Sequence, residues 1–175
     1  MLILCIGGNG SGKSEFAEKK AVKTAENGEI FYIAAMKPYG DEGRRKIERH
    51  KKLREGKNFS VVEKYTDIAE LNFSKDSTVI LECMSNLLAN EMFEKENAIN
   101  TANEKIKHDI LCLNNKCRNL IVVSSLIYDE KKYDETTEKY IEHMADINNF
   151  IIKNADYVYE VVYGVPVCMK GREKW

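Results

Sequence analysis

Residues 7 to 14 read Gly7-Gly8-Asn9-Gly10-Ser11-Gly12-Lys13-Ser14, a complete G-x-x-x-x-G-K-[ST] pattern set directly behind the apolar run Leu2-Ile3-Leu4-Cys5-Ile6. A phosphate loop needs a strand to aim it and a helix N-terminus behind it, where unpaired N–H groups attract anions. Glu15-Phe16-Ala17-Glu18-Lys19-Lys20-Ala21 supplies the helix, being rich in good helix formers. Glycines let successive N–H groups turn inward around phosphate oxygens, where a side chain would collide. Lys13 then reaches the outer phosphates, and the Ser14 hydroxyl is suited to magnesium. Strand, loop, Lys-Ser and helix in this order predict a nucleoside triphosphate site.

The rest of the chain repeats the same alternation. Apolar, β-branched runs fall at Ile30–Ala34, Phe59–Glu63, Thr78–Glu82, Leu120–Ser124 and Tyr157–Val162. Runs without polar alternation are the mark of strands covered on both faces. Helical patterns fall between them, at about 13–26, 41–55, 84–94, 98–113 and 133–154. The expected fold class is α/β: a P-loop NTPase-like, mostly parallel sheet with helices on both faces. The segments 157–163 and 166–170, joined by Gly164-Val165-Pro166, suit an antiparallel hairpin at one edge. No repeat, low-complexity tract or linker divides the 175 residues, so one nucleotide-binding domain over 1–175 is expected.

A net charge of −1 gives no basic field for nucleic acid or an anionic membrane. No apolar run approaches the ~20 residues that span a bilayer, and the chain opens into a strand rather than a signal peptide. Five scattered cysteines, an odd number, argue against a disulfide framework and for a reducing cytoplasm. Cys112 and Cys117 have no second pair and only His108 near them, so thiols packed in apolar surroundings are preferred to zinc.

Ligands of open parallel sheets bind at the strands' C-terminal ends. The residues there are the loop itself, Ala34-Ala35, Glu63, Glu82 and Ser124-Ser125. Glu82 stands where many phosphate-loop proteins carry an acidic magnesium contact, though an ordinary strand-end carboxylate looks the same. The stretch Asp41–Arg54 should be a helix, yet Ile47 and Leu53 are nearly its only apolar residues. It has little to bury and belongs outside or across a cleft. Such a run is ordinarily a solvated face; the alternative is contact with polyphosphate through Arg44, Arg49 and Arg54. His50, His108 and His143 carry no signal from spacing alone.

Taken in order, these features resemble the bifunctional adenosylcobinamide kinase/adenosylcobinamide-phosphate guanylyltransferase family of cobalamin biosynthesis. The likeness runs nearly end to end: Ile3–Ser14 with Ala17-Glu18, Tyr32-Ile33-Ala34, Asp41-Glu42, Ile47–Arg54, Glu63, Ile80–Asn90, Ala155–Val158 and Val161–Pro166. The resemblance implies that His50 is the guanylylated nucleophile and that the loop with Lys13 cradles the triphosphate. It implies Mg²⁺ held by Ser14 and Glu82, and Lys51, Lys52, Leu53 and Arg54 near the nucleotide. It also implies a guanosine pocket of Glu63 and the Ile33-Ala34-Ala35 turn, with GTP or ATP as substrates. The partner would be the corrinoid adenosylcobinamide, and the assembly a homo-oligomer, a trimer in the family.

Histidine suits such a relay because imidazole is partly neutral near pH 7 and leaves well when protonated. Cationic neighbours such as Lys51 and Arg54 would lower its pKa. The chain departs from the family at three places. Ser125-Leu126-Ile127-Tyr128 stands where Asn-Glu-Val-Gly is usual, Ile141-Glu142 replaces an Arg-Asp pair, and Gly10 replaces arginine. Asn148 and Asn149 still fit. The lost strand-end carboxylate bears on the kinase half, leaving two alternatives: a small-molecule kinase or NTPase without a covalent step, and a diverged GTP-binding paralogue without catalysis.

Overall fold

The computed structural model describes residues 1–54, 56–94, 98–127 and 133–171; within the second helix the side chains of Glu42, Lys46, His50, Leu53 and Arg54 lie outside that description. In chain order the elements are β1 (Leu2–Gly7), α1 (Lys13–Thr24), β2 (Ile30–Ala34), α2 (Gly40–Arg54), β3 (Phe59–Glu63), β4 (Thr78–Glu82), α3 (Met84–Phe93), α4 (Ala102–Asn114), β5 (Asn119–Ser125), α5 (Glu135–Asn154), β6 (Tyr157–Val162) and β7 (Val165–Lys170). The strands form one sheet in the order β3-β2-β4-β5-β1-β6-β7. All pairs are parallel except β6–β7. The expected fold class is therefore the one observed, edge hairpin included.

Alternation along the buried strands sorts their side chains into two cores. Leu2, Leu4, Ile33, Val79, Leu81, Leu120 and Val122 meet Leu87, Leu88, Ile106, Ile110, Met144 and Ile147 from α3, α4 and α5. On the other face Ile3, Cys5, Tyr32, Ile80, Ile121 and Val123 meet Ala17 and Ala21 of α1. Each fully buried aliphatic side chain contributes about 1.5–3 kcal/mol, so both faces hold the strand ends in register. α5 is capped by Asp134, whose side chain accepts from Thr137 N at 2.9 Å; that bond holds the carboxyl below its ordinary pKa.

The hairpin differs from expectation in its turn. Val162 pairs with Val165 and Val161 with Pro166, so the two-residue turn is Tyr163-Gly164, with φ of 48° and 81°. Two positive φ values match the twist of the flanking strands. Pro166 is tolerated inside β7 because an edge strand need not offer every N–H to a neighbour. No helix among the described residues is long and apolar enough to cross a membrane.

Candidate functional site

The loop leaves β1 at Gly7 because nothing larger fits there. A Cβ on Gly7 would sit 2.5 Å from the Val161 carbonyl oxygen and 2.7 Å from Ser11 Oγ. Gly12, which caps α1, has φ 91° and faces Gly164, whose Cα would be 3.2 Å from an added Cβ. The Gly164 N–H donates to Ser11 O at 2.8 Å. The hairpin turn thus braces the glycine-rich loop from behind. Lys13 is nearly buried and its ammonium donates to Gly8 O at 3.0 Å, folded back across the loop.

Ser14 Oγ donates to Glu82 Oε1 at 2.8 Å. These side chains come from the start of α1 and the end of β4, 68 residues apart, and Glu82 is buried. Its charge is felt nearby. Burial first, and then the Glu82 carboxylate, push the Cys5 thiol up to about 12 and raise that of Cys83. Cys83 Sγ lies 2.9 Å from Ser85 Oγ and accepts from Asn86 Nδ2 at 3.0 Å.

A cavity of about 190 Å3 opens beside Glu82, lined by Tyr32, Ala34, Met36, Pro38, Ile47, Lys51, Val61, Glu63, Tyr65 and Glu82. Its floor is the α1 face of the sheet: Tyr32 and Ala34 on β2, Val61 and Glu63 on β3, Glu82 on β4. Register explains the grouping, since Ala34 pairs with both Glu63 and Glu82. Its outer wall is α2, through Ile47 and Lys51.

The loop, Lys13, Ser14, Glu82, Ala34, Glu63 and Lys51 therefore come together. Ile33 and Ala35 are fully buried in the opposite core, so on this side they offer backbone alone. Lys52 borders a shallow hollow elsewhere on α2, with Arg44, Arg45, Glu48 and Arg49, and Arg44 is paired with Asp41 at 2.6 Å. Position 50 lies on α2 between Ile47 and Lys51. The side chains of His50, Leu53 and Arg54, like Tyr128 as a whole, lie outside the described residues.

Sequence reasoning missed Tyr32, Met36, Pro38, Ile47, Val61 and Tyr65. Two of them were within reach, because Tyr32 and Val61 precede Ala34 and Glu63 by two residues and so share their faces. His143 is buried and bonded to Ile99 O at 2.6 Å, away from this site.

A strand-loop-helix phosphate cradle at the end of a parallel sheet, with an acidic strand end bonded to its serine, defines a P-loop nucleotide-binding protein. The fold is similar to the KaiC-like protein PH0186 of Pyrococcus horikoshii OT3, at TM-score 0.51 and 17% identity over 98% of this chain and 79% of that one. It is also similar to the ATP synthase subunit NeqB of Nanoarcheaum equitans, at TM-score 0.56 and 12% identity over 91% of this chain and 46% of that one. At such identities the likeness is one of fold. No curated protein matches the sequence. The chain belongs to the cobinamide kinase / cobinamide phosphate guanyltransferase family, whose model matches residues 3–169. Membership makes it a nucleotide-binding transferase of cobalamin biosynthesis.

Proposed function

We propose that the chain transfers GMP from GTP to adenosylcobinamide phosphate through a guanylylated His50, and phosphorylates adenosylcobinamide beforehand. The carrying observation is continuity: the cavity behind α2 runs to Glu82, and Glu82 is bonded to the loop's Ser14. A nucleoside in the cavity and its phosphates in the loop would be one molecule. The cavity's apolar walls suit a purine, and the Glu63 carboxylate suits the donor edge of guanine.

In this reading residues 1–175 act as one domain. Loop N–H groups and Lys13 hold the β- and γ-phosphates, with Gly7 to Gly12 forming the cradle. Magnesium fits the all-oxygen pair of Ser14 and Glu82, and bound there it would neutralise phosphate charge. The neutral His50 imidazole attacks the α-phosphorus; a P–N bond forms, the P–O bond to pyrophosphate breaks, and the imidazole sheds its ring proton. Lys51, on the cavity wall, offsets charge gathering on the leaving pyrophosphate. An oxygen of adenosylcobinamide phosphate then displaces the reprotonated histidine, giving adenosylcobinamide-GDP. In the kinase step the terminal phosphate of ATP or GTP passes to the corrinoid's aminopropanol hydroxyl. Family resemblance further supports a cytoplasmic homo-oligomer, a trimer.

A second reading, a kinase or NTPase without the covalent step, draws on the meeting of Lys13, Ser14 and Glu82 independently of α2. Intact-protein mass after incubation with GTP and Mg²⁺ separates the two. The first expects one added GMP, lost in His50→Ala and stable to base. No adduct on the wild-type chain, or an equal adduct on His50→Ala, refutes it. Turnover lost in Lys13→Ala but kept in His50→Ala supports the second.

A further inference from the structure

We infer that Tyr65 is a positioning residue that sets purine selectivity, by fixing the plane of the Glu63 carboxylate at the mouth of the cavity. The inference rests on the reading of that cavity as the guanosine pocket.

An ionised carboxylate only accepts hydrogen bonds. The Watson–Crick edge of guanine offers it two adjacent donors, N1–H and the N2 amine. Adenine offers one donor beside the N1 lone pair, which would face the second oxygen. A carboxylate free to rotate on an exposed strand end gains little from that difference, because its plane adapts to either base. One held in a single plane can accept both guanine donors and meet adenine with one bond and one repulsion.

Glu63 ends the edge strand β3 and is exposed, so its own surroundings do not fix it. Tyr65 does: its hydroxyl donates to Glu63 Oε2 at 2.9 Å, from a residue two places on and facing the same cavity. Burial first, and then the carboxylate itself, raise the phenol's pKa, so it stays a donor throughout the neutral range.

Tyr65 is itself held from below. Its carbonyl accepts from Asn90 Nδ2 at 3.0 Å, and the same nitrogen donates to Ala35 O at 2.9 Å. Both amide hydrogens of this buried residue are thereby used, and they tie the loops after β2 and β3 to α3. Over the ring, Lys37 Nζ stands 5.3 Å from the centroid and is ion-paired with Glu94 just past α3. The hydroxyl is thus presented by a ring and a backbone that are both anchored.

Tyr65→Phe removes the hydroxyl and keeps the ring. Equilibrium binding of GTP and of ATP, each with Mg²⁺, would be measured for wild type, Tyr65→Phe, Glu63→Gln and the double variant, with melting temperatures alongside. The wild type is expected to favour GTP. Tyr65→Phe should weaken GTP about tenfold, bind ATP as tightly as wild type or more tightly because the repulsion is relieved, leave the melting temperature unchanged, and add nothing further in the Glu63→Gln background. A GTP-to-ATP ratio within twofold of wild type in Tyr65→Phe, or equal weakening of both nucleotides, overturns the inference. A wild type without preference, or a Glu63→Gln variant that keeps it, refutes the guanosine reading of the pocket and the inference with it.

Discussion

Replacing Gly7 by alanine tests whether the loop's position is set by its neighbours or by its ligand. The added Cβ would lie 2.5 Å from the Val161 carbonyl oxygen and 2.7 Å from Ser11 Oγ. An ordinary carbon–oxygen contact is about 3.3 Å, so the methyl falls roughly 0.8 Å short. Ser11 can rotate, but Val161 cannot yield easily: it sits in β6, paired to Pro166 on one side and next to the β1 register on the other. The loop must therefore move. Overpacking of this size costs about 1–3 kcal/mol, which for a chain of this length lowers the melting temperature by roughly 2–4 °C per kcal/mol. If the loop N–H groups hold the phosphates as proposed, moving them by most of an ångström should weaken nucleotide binding about a hundredfold. Gly8→Ala is the control for stability, since an added Cβ there meets no protein atom within 4 Å. Calorimetric titration with GTP and a thermal melt on both variants would decide. A Gly7→Ala chain that melts and binds like wild type, or a Gly8→Ala chain destabilised to the same extent, would refute the packing argument.

The Cys5 thiol, pushed up to about 12 from an unfolded value near 9.0, contributes stability that is fully present below pH 9 and is lost as pH rises toward 12. Urea midpoints should fall between pH 8 and pH 10.5 more steeply for wild type than for Cys5→Ala; parallel slopes would contradict this. Ser124 and Asn148, both buried, share a 2.6 Å bond, while Asn148 Nδ2 donates to Ser125 O at 3.2 Å. Asn148→Leu should cost about 1–3 kcal/mol in chemical denaturation by leaving the Ser124 hydroxyl unmatched, and Ser124→Ala in the same chain should restore part of it. Strict additivity of the two would show that the pair does not interact.

Features that depend on neighbours in sequence were legible in advance. The P-loop, the strand runs and the crossover pattern all follow from local composition, and they proved sufficient for a mostly parallel sheet with an edge hairpin, though not for its strand order. The hairpin turn was misjudged because Pro166 is a strong turn signal, whereas Tyr163 is an unusual residue for a positive φ. The cavity was harder to foresee. Glu63 and Glu82 stood out as strand-end carboxylates, but their common side of the sheet depends on the pairing of both with Ala34. Asn90 gave no sign of its role, since its partners Ala35 and Tyr65 lie 55 and 25 residues away. Long-range hydrogen bonds of this sort leave no periodicity to read.

The brace between Ser11 and Gly164 also orders events during synthesis on the ribosome. β1, the loop and α1 emerge first, yet the surface that shapes the loop is encoded some 150 residues later. Until β6 and its turn have cleared the exit tunnel, the nascent loop lacks the Gly164 contacts that back Ser11 and Gly12 in the folded chain. The loop's final shape thus waits on the meeting of two stretches of polypeptide that are synthesised far apart in time.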